Sequence, residues 1–382
     1  MPLGTGAIAL RNLPVSKYNL NPGLFNQLTN RIVFDPINFS LPGYGNYVQN
    51  QLLQVGIVSK IRVYFTGTIT TTGTTVTISP NAHWPWNLIS VKISGNGQNN
   101  FISADGIDLR IRAQVQNRAL EDQFVVYPNS ASVAPFNAAG SANVVLWWDV
   151  PIAMDDTTLV GSLYAQSEAT NLTYTITTRA QSDLFNVTAG SVAVTGTVYL
   201  EETVFDVPYD PTHPDTLVIP DLTVLHGYQS NENAVASQST LDTYLIRING
   251  QLERLMFYTI DLSTAAAPAF VASSNYTLIQ LIYGANTTPY TFQPGVLLKI
   301  RNVLDYRNSL GWDTQHQGTT VTNGAAVASG VDGLFCLDMI NENPQRDNIL
   351  LEGVTNLRLR TQFNSAPTGG SKVHFVQETL FA

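Results

Sequence analysis

The sequence predicts an all-β protein made of two tandem sandwich domains, and three observations carry that prediction. Short phrases of the first half return in the same order in the second, hydrophobic alternation of period two dominates both halves, and a proline-rich seam parts them. Leu88-Ile89 recurs as Leu278-Ile279, 190 residues on, and Gly106-Ile-Asp-Leu-Arg-Ile-Arg112 recurs as Gly295-Val-Leu-Leu-Lys-Ile-Arg301, 189 on. Thr170-Asn171-Leu172 matches Thr355-Asn356-Leu357 at 185, and Glu202-Thr-Val-Phe205 matches Glu378-Thr-Leu-Phe381 at 176. Pro36, Leu41, Gly43 and Tyr44 match Pro220, Leu225, Gly227 and Tyr228 at 184. A period this long is a whole domain rather than a solenoid unit, so the chain reads as a duplicated domain.

The seam is Val207-Pro-Tyr-Asp-Pro-Thr-His-Pro214, with three prolines in eight residues, which neither a helix nor a central strand tolerates. It divides the 382 residues into an N-terminal arm (1–30), a first domain (31–206), a linker (207–214) and a second domain (215–382). Each domain is long enough to bury its own core.

In chain order, the arm comes first, and its apolar Ala7, Ile8, Leu10, Leu13, Leu20, Leu24 and Phe25 are broken by Pro14, Pro22 and Gly23. That is too interrupted for a long amphipathic helix and too apolar for a free tail. In the first domain Ile61, Val63 and Phe65 alternate with Arg62, Tyr64 and Thr66, the pattern of a strand with one face in a core. Gly95-Asn-Gly97 reads as a hairpin turn, since no helix opens directly behind it and no lysine follows to hold a phosphate. Ile107, Leu109, Ile111, Ala113 and Val115 fit a strand as well as a helix, and the second copy decides. There Val296, Ile300, Val303 and Arg307, with Leu297 and Leu304 beside them, follow helical spacing. Helices are therefore expected near 106–118 and 295–307. Tyr127 to Asn143 and Asn308 to Asp332, rich in small polar residues, are expected as outward-facing loops. The strand Val144 to Ala153 follows the first loop, and at least one of the adjacent Trp147 and Trp148 must face a core. Leu172, Tyr174 and Ile176 then alternate with threonines, and Val192, Val194, Val198 and Leu200 with Ala193, Thr195, Thr197 and Tyr199. Eight or so strands per copy, parted by turn signals such as Thr72-Gly73 and Asn286-Thr287, make each copy an eight-stranded sandwich or jelly roll with one short helix.

Only 12% of residues are charged, about half the usual share. Either the outer strand faces are simply Thr-rich, or much of the outer surface is covered by neighbouring subunits, where neutral hydrogen-bonding groups cost less to desolvate than charges. A net charge of −9, with no basic run, argues against direct nucleic-acid binding. The single cysteine, Cys336, excludes an internal disulfide and suits assembly in a reducing cytoplasm. It lies in the apolar run Leu334-Phe-Cys-Leu337 and reads as a small core residue rather than a nucleophile. Met1 to Leu20 lacks the pattern of a secretory signal and no segment reaches 18 uninterrupted apolar residues, so the expectation is a protein soluble when made.

Residues that carry chemistry are sparse. The five histidines, His83, His213, His226, His316 and His374, include no pair at ligand spacing, so no metal site, cofactor or catalytic residue is expected. Asp155-Asp156 reads as a solvated turn, and Glu202, which recurs as Glu378, as a structural residue at the end of the last strand. Trp84, Trp86, Trp147 and Trp148 raise a sugar-stacking reading, which the alternation of the last two weakens.

Two β-sandwiches in tandem, each with a wall helix, a proline-rich seam and a separate arm, resemble the double jelly-roll major capsid proteins of the tectivirus and adenovirus lineage, the tectivirus type above all. Val55-Gly-Ile-Val58 leading into a long strand to Thr71 looks like that family's opening strand. Trp147-Trp-Asp-Val-Pro-Ile-Ala153, with Asp155-Asp156 and Leu159-Val-Gly-Ser-Leu163 behind it, looks like the end of its first roll, and Leu217-Val-Ile-Pro-Asp-Leu222 like the start of its second. The resemblance covers about 31–382 and implies a virion shell protein, not an enzyme. It further implies homotrimeric pseudo-hexameric capsomers in an icosahedral shell, as in a bacteriophage with an internal lipid membrane. The partners would be the chain itself, neighbouring capsomers, minor capsid or vertex proteins and that membrane. Ile8, Leu10, Leu13, Leu20 and Phe25 of the arm are the candidate assembly contacts. The competing readings are a viral spike, a vertex protein or a carbohydrate-binding two-domain β protein; a cupin-like enzyme would need clustered histidines.

Overall fold

The computed structural model describes residues 29–381 apart from 34–36, 41–45, 53, 73–74, 79–85, 96–97, 117–138, 155–158, 166–170, 206–221, 236, 247–249, 262–268, 285–286, 307–332 and 340–347. The arm positions Ile8, Leu10, Leu13, Leu20 and Phe25, the proline-rich seam, and His83, His213, His316 and Asp155-Asp156 lie outside the described residues.

The first set of elements runs β1 (Thr29–Val33), β2 (Ile37–Ser40), β3 (Asn46–Gln51), β4 (Ile57–Thr71), β5 (Thr75–Ile78), β6 (Ile89–Gly95), β7 (Gln98–Asp105), α1 (Gly106–Gln116), β8 (Gly140–Pro151), β9 (Leu163–Tyr164), β10 (Thr173–Thr178), α2 (Gln181–Leu184), β11 (Phe185–Ala189) and β12 (Val192–Phe205). The second runs β13 (Leu225–Ala234), β14 (Thr240–Tyr244), β15 (Gln251–Asp261), β16 (Ala269–Phe270), β17 (Tyr276–Tyr283), β18 (Thr287–Phe292), α3 (Val296–Tyr306), β19 (Phe335–Asp338), β20 (Ile349–Leu350), β21 (Arg358–Phe363) and β22 (Lys372–Phe381). Residues 140–143, expected as the end of a loop, instead pair with residues 68–71 of β4 as the start of β8, while 127–138 and 308–332, the rest of the two expected loops, lie outside the described residues.

The two sets share one wiring. In the first, β12 lies between β1/β2 and β4, and β4 also pairs with β8 and β9; in the second, β22 lies between β13 and β15, and β15 also pairs with β19 and β20. In the opposing layers β10 lies between β3 and β6, with β7 beyond, just as β21 lies between β14 and β17, with β18 beyond. Counting the interrupted β1/β2 as one strand and setting aside the short β5, β9, β11, β16 and β20, each set is an eight-stranded jelly roll, and its wall helix follows the same strand in both. Single hydrogen bonds repeat as well: Leu52 donates its amide to the Leu172 carbonyl at 2.9 Å, and Leu245 donates to Leu357 at 3.1 Å.

Strand register corrects part of the repeat alignment. Glu201 stands opposite Arg62, which stands opposite Asp149; Glu378 stands opposite Arg254, which stands opposite Asp338. The counterpart of Glu378 is therefore Glu201 and not Glu202. The phrase Glu-Thr-hydrophobic-Phe recurs one residue out of structural register, and a one-residue slip exchanges the faces of a strand. Glu202 itself is fully buried. The first phrase fails for the same kind of reason: Glu201 faces Val33 across β1 and Glu378 faces Tyr228 across β13, so Tyr228 answers to Val33 rather than to Tyr44. Leu278-Ile279 is likewise displaced by two residues, since Thr361 of β21 faces Ile279 and its counterpart Ile176 faces Val91.

Each roll fills its interior with the alternating residues the pattern marked out. Ile61, Val63 and Phe65 on β4, Val194, Val198 and Leu200 on β12, and Leu146 and Trp148 on β8 are buried in one cluster. Leu255 and Phe257 on β15, Phe335 and Leu337 on β19, and Val373 and Phe375 on β22 form the core of the second roll. Trp148 is the member of the tryptophan pair that turns inward, and Trp147 is half-buried. Cys336 is a buried thiol, and its backbone is held from both sides by Asn302 of α3, at 2.9 and 2.7 Å.

Both wall helices begin at a glycine pressed against backbone. A Cβ on Gly106 would stand 1.8 Å from the Trp86 carbonyl oxygen, and one on Gly295 would stand 2.9 Å from the Tyr276 carbonyl oxygen. Gly106→Ala is therefore expected to cost about 1–3 kcal/mol, the usual range for overpacking. Gly369→Ala, whose methyl would meet nothing nearer than Ser237 at 4.0 Å, should change stability by less than about 0.5 kcal/mol. Urea unfolding midpoints compare the two, and equal midpoints would sink the packing argument.

Candidate assembly interface

The rolls meet along β7 and β13, whose parallel pairing (Tyr228 opposite Ile102, Gln229 opposite Ser103) merges a layer of each into one ten-stranded sheet. Helix α1 rises directly from β7 and lies across the outer face of the second roll. Its start is fixed locally: Asp108 accepts from the Asp105 amide at 3.2 Å, as the third residue of a capping box does, and Asn87 accepts from the Ile107 amide at 3.0 Å. Ile107, Asp108, Leu109, Arg110, Ile111 and Arg112 are all buried, so this helix has no solvent face along its first two turns.

Burying charges is tolerable only when each finds a partner. Glu378, on β22 and fully buried, is the hub. It accepts from Arg112 of α1 at 2.8 Å, from Arg254 of β15 at 2.8 Å and from His226 of β13 at 3.0 Å. Burial alone would raise its pKa, but the two guanidiniums and the imidazole hold it well below the usual carboxylate range. Arg112 also donates to the Met154 carbonyl at 2.7 Å, and Arg254 donates to Asp338 at 3.1 Å. His226 stays neutral, because burial and the adjacent Arg112 push its pKa down. Arg110 meets its neighbour differently, with the guanidinium 4.6 Å from the centre of the Trp86 ring.

A second cluster lies one turn back along α1. His374 of β22 bonds Asp108 at 3.0 Å through Nε2 and stands 3.6 Å from Glu232 through Nδ1. Burial works against a charged ring there, but the carboxylates prevail and raise its pKa to about 10. Glu232, facing the charged His374 and accepting from Lys372 at 2.9 Å, is lowered to about 2. Tyr228 completes the contact by donating to the Asp108 carbonyl at 2.6 Å. Two of the scattered histidines thus serve as buried hydrogen-bonding partners, His226 neutral beside Glu378 and His374 charged beside Asp108 of the first roll. Among the described residues, no group of three His, Cys, Asp or Glu is placed to hold a metal ion.

The same triad in the first roll is open to solvent. Arg62 forks onto Asp149, with Nη2 to Oδ2 at 2.9 Å, and Tyr64 donates to Glu201 at 3.1 Å, all half-buried. Sequence reading missed Arg62, Arg254, Asp149 and Asp338 as a repeated set, although Arg and Asp recur 192 and 189 residues on. Of the tryptophans raised for sugar stacking, Trp84 lies outside the described residues, Trp86 and Trp148 are buried and Trp147 lies under Arg62 at 5.3 Å.

No protein-family profile and no curated protein sequence matches the chain. Solved structures do. The major capsid protein of Sulfolobus turreted icosahedral virus, in its crystal structure, aligns over 91% of this chain and 97% of its own, with TM-score 0.56 and 16% identity. A chain of the atomic structure of that virus aligns over 91% of both, with TM-score 0.59 and 16% identity. These are structural shell proteins rather than enzymes.

Two results are expected at the hub. Glu378→Gln leaves two buried guanidiniums without their counter-charge and should cost about 3–5 kcal/mol, whereas Glu201→Gln, at the half-exposed counterpart, should cost under about 1 kcal/mol. Chemical denaturation checks both, and similar losses would contradict the burial argument. The second result concerns pH. The raised pKa of His374 makes its contribution complete below about 6.5, the unfolded value, and lost as pH rises through about 10. The melting temperature should fall across that window, and His374→Gln should flatten the fall. From β4 to β22 the wiring is that of a double jelly roll, the fold of the viral major capsid proteins it matches.

Proposed function

We propose that the chain is the major capsid protein of an icosahedral virus, and that three copies build a capsomer in which six jelly rolls stand in a ring. The observation that carries this reading is the contact between the rolls. Two rolls of identical wiring are locked side by side by a ladder and a buried ionic hub, so a threefold assembly presents six similar walls while needing only threefold symmetry. The low share of charged residues suits a surface largely covered by neighbours. Within this reading the chain divides into the arm 1–30, rolls at 31–206 and 215–382, and the linker 207–214. Neighbouring capsomers and minor or vertex proteins are its further partners. The tectivirus resemblance extends the proposal to a phage shell, assembled in the host cytoplasm around an internal membrane, which the arm contacts through Ile8, Leu10, Leu13, Leu20 and Phe25.

Light scattering on the purified chain should return three times its 41.7 kDa mass; a stable monomer at micromolar concentration counts against the reading. Capsomers in one shell meet unequal neighbours, and a terminus adapts to them at least cost in folding energy. Deleting residues 1–25 should therefore leave trimers and melting temperature nearly unchanged and impair shell assembly or lipid contact. A truncated chain that assembles normally would remove the arm's role.

A further inference from the structure

The two wall helices hold the same place in their rolls but meet opposite surroundings. Aligned at their opening glycines, Asp108, Ile111 and Val115 of α1 answer to Leu297, Ile300 and Leu304 of α3. The first three are at most 6% exposed, and the second three are 45%, 50% and 73% exposed. The face turned inward is the same in both, since Leu109 and its counterpart Leu298 are each 1% exposed. What covers α1 is the outer sheet face of the second roll, through Glu378, His374 and Tyr228.

The first roll has the corresponding outer face. By strand register Glu201 answers to Glu378 and Tyr64 to Met256, and Val145 stands where the second roll has Leu334. Met256 and Leu334 are buried in the cluster that includes α1, whereas Tyr64 is half-buried and Val145 is 41% exposed. Charge agrees with shape: Arg301 of α3 stands where α1 has Arg112, the residue that binds Glu378. Its partner within the chain is the half-exposed Asp305 one turn on, at 3.2 Å.

We infer that the exposed face of α3 docks on the outer β12–β4–β8 face of the first roll of a second copy, with Arg301 meeting Glu201 of that copy, so that the contact between chains repeats the contact within one. The contact is head-to-tail: each copy offers one helix and one sheet face, and a ring of three leaves neither uncovered. Closure at three rests on the capsomer reading, but the choice of surfaces does not.

The test uses the full chain and sedimentation. Ile300→Asp with Leu304→Asp on the helix, and separately Val145→Asp on the sheet face, should each convert the threefold mass to the single-chain mass with an unchanged circular dichroism spectrum, since all three side chains are exposed in the lone chain. Arg301→Glu should weaken association at least tenfold, and adding Glu201→Arg should restore part of it, a rescue that a misfolded variant cannot give. Mixing the helix variant with the sheet variant should yield a heterodimer, because only one good contact remains between them. If the unsubstituted chain forms trimers that the helix and sheet variants leave intact, the surfaces are wrong and the capsomer reading stands. If the unsubstituted chain is a monomer at tens of micromolar, both fall.

Discussion

The carboxylate of Glu378 cannot be buried alone, and the relation between the two rolls follows from that constraint. Taking an ionised carboxylate out of water costs several kcal/mol even after relaxation. Here the compensation comes from both domains, with Arg112 supplied by the first roll and Arg254 and His226 by the second. The outer face of the second roll is thus electrostatically incomplete until α1 arrives. The parallel ladder between β7 and β13 registers only two residue pairs, too few to fix an angle between domains. The directional hydrogen bonds at Glu378 and at His374 supply what the ladder lacks, and they set geometry more than net stability.

Most of the fold was legible in the sequence because alternation marks strands whose two faces differ. Ile61, Val63 and Phe65 turned inward as their spacing required, and Trp147 and Trp148 parted to opposite faces. The wall helices separate the legible from the hidden. In α3 one face is exposed, and its apolar spacing declared a helix. In α1 every side of the first two turns is covered, so charged and apolar residues interleave and periodicity vanishes. The second copy decided the first only because the same backbone had been kept under two different environments.

The repeat itself was correctly detected and incorrectly registered. Matching letters favoured Glu202 with Glu378, whereas cross-strand neighbours favour Glu201, since Arg62 and Asp149 stand beside it as Arg254 and Asp338 stand beside Glu378. Letter identity carries no knowledge of faces, and bulges in β4 and β15 fall at different points of the two ladders, which lets sequence and structure drift by one. The ionic hub was hidden for a simpler reason. Its members lie at positions 112, 226, 254 and 378 and converge only when two domains fold and dock.

In the proposed assembly the two helices adapt one duplicated surface to two kinds of contact. A contact within a chain forms between groups already tethered at high effective concentration, so it tolerates the desolvation of Asp108, Arg112 and Glu378 together. A contact between separate chains must be made from surfaces that are soluble beforehand and must also repay lost translational freedom. Apolar side chains suit that task, because they cost little to leave singly in water and gain when covered. Leucine at 297 where the sister helix carries aspartate, and leucine at 304 where it carries valine, move α3 in that direction, while Arg301 keeps the one charge that selects a register. The two equivalent walls thus carry different substitutions, one set fitted to folding and the other, in the proposed assembly, to association.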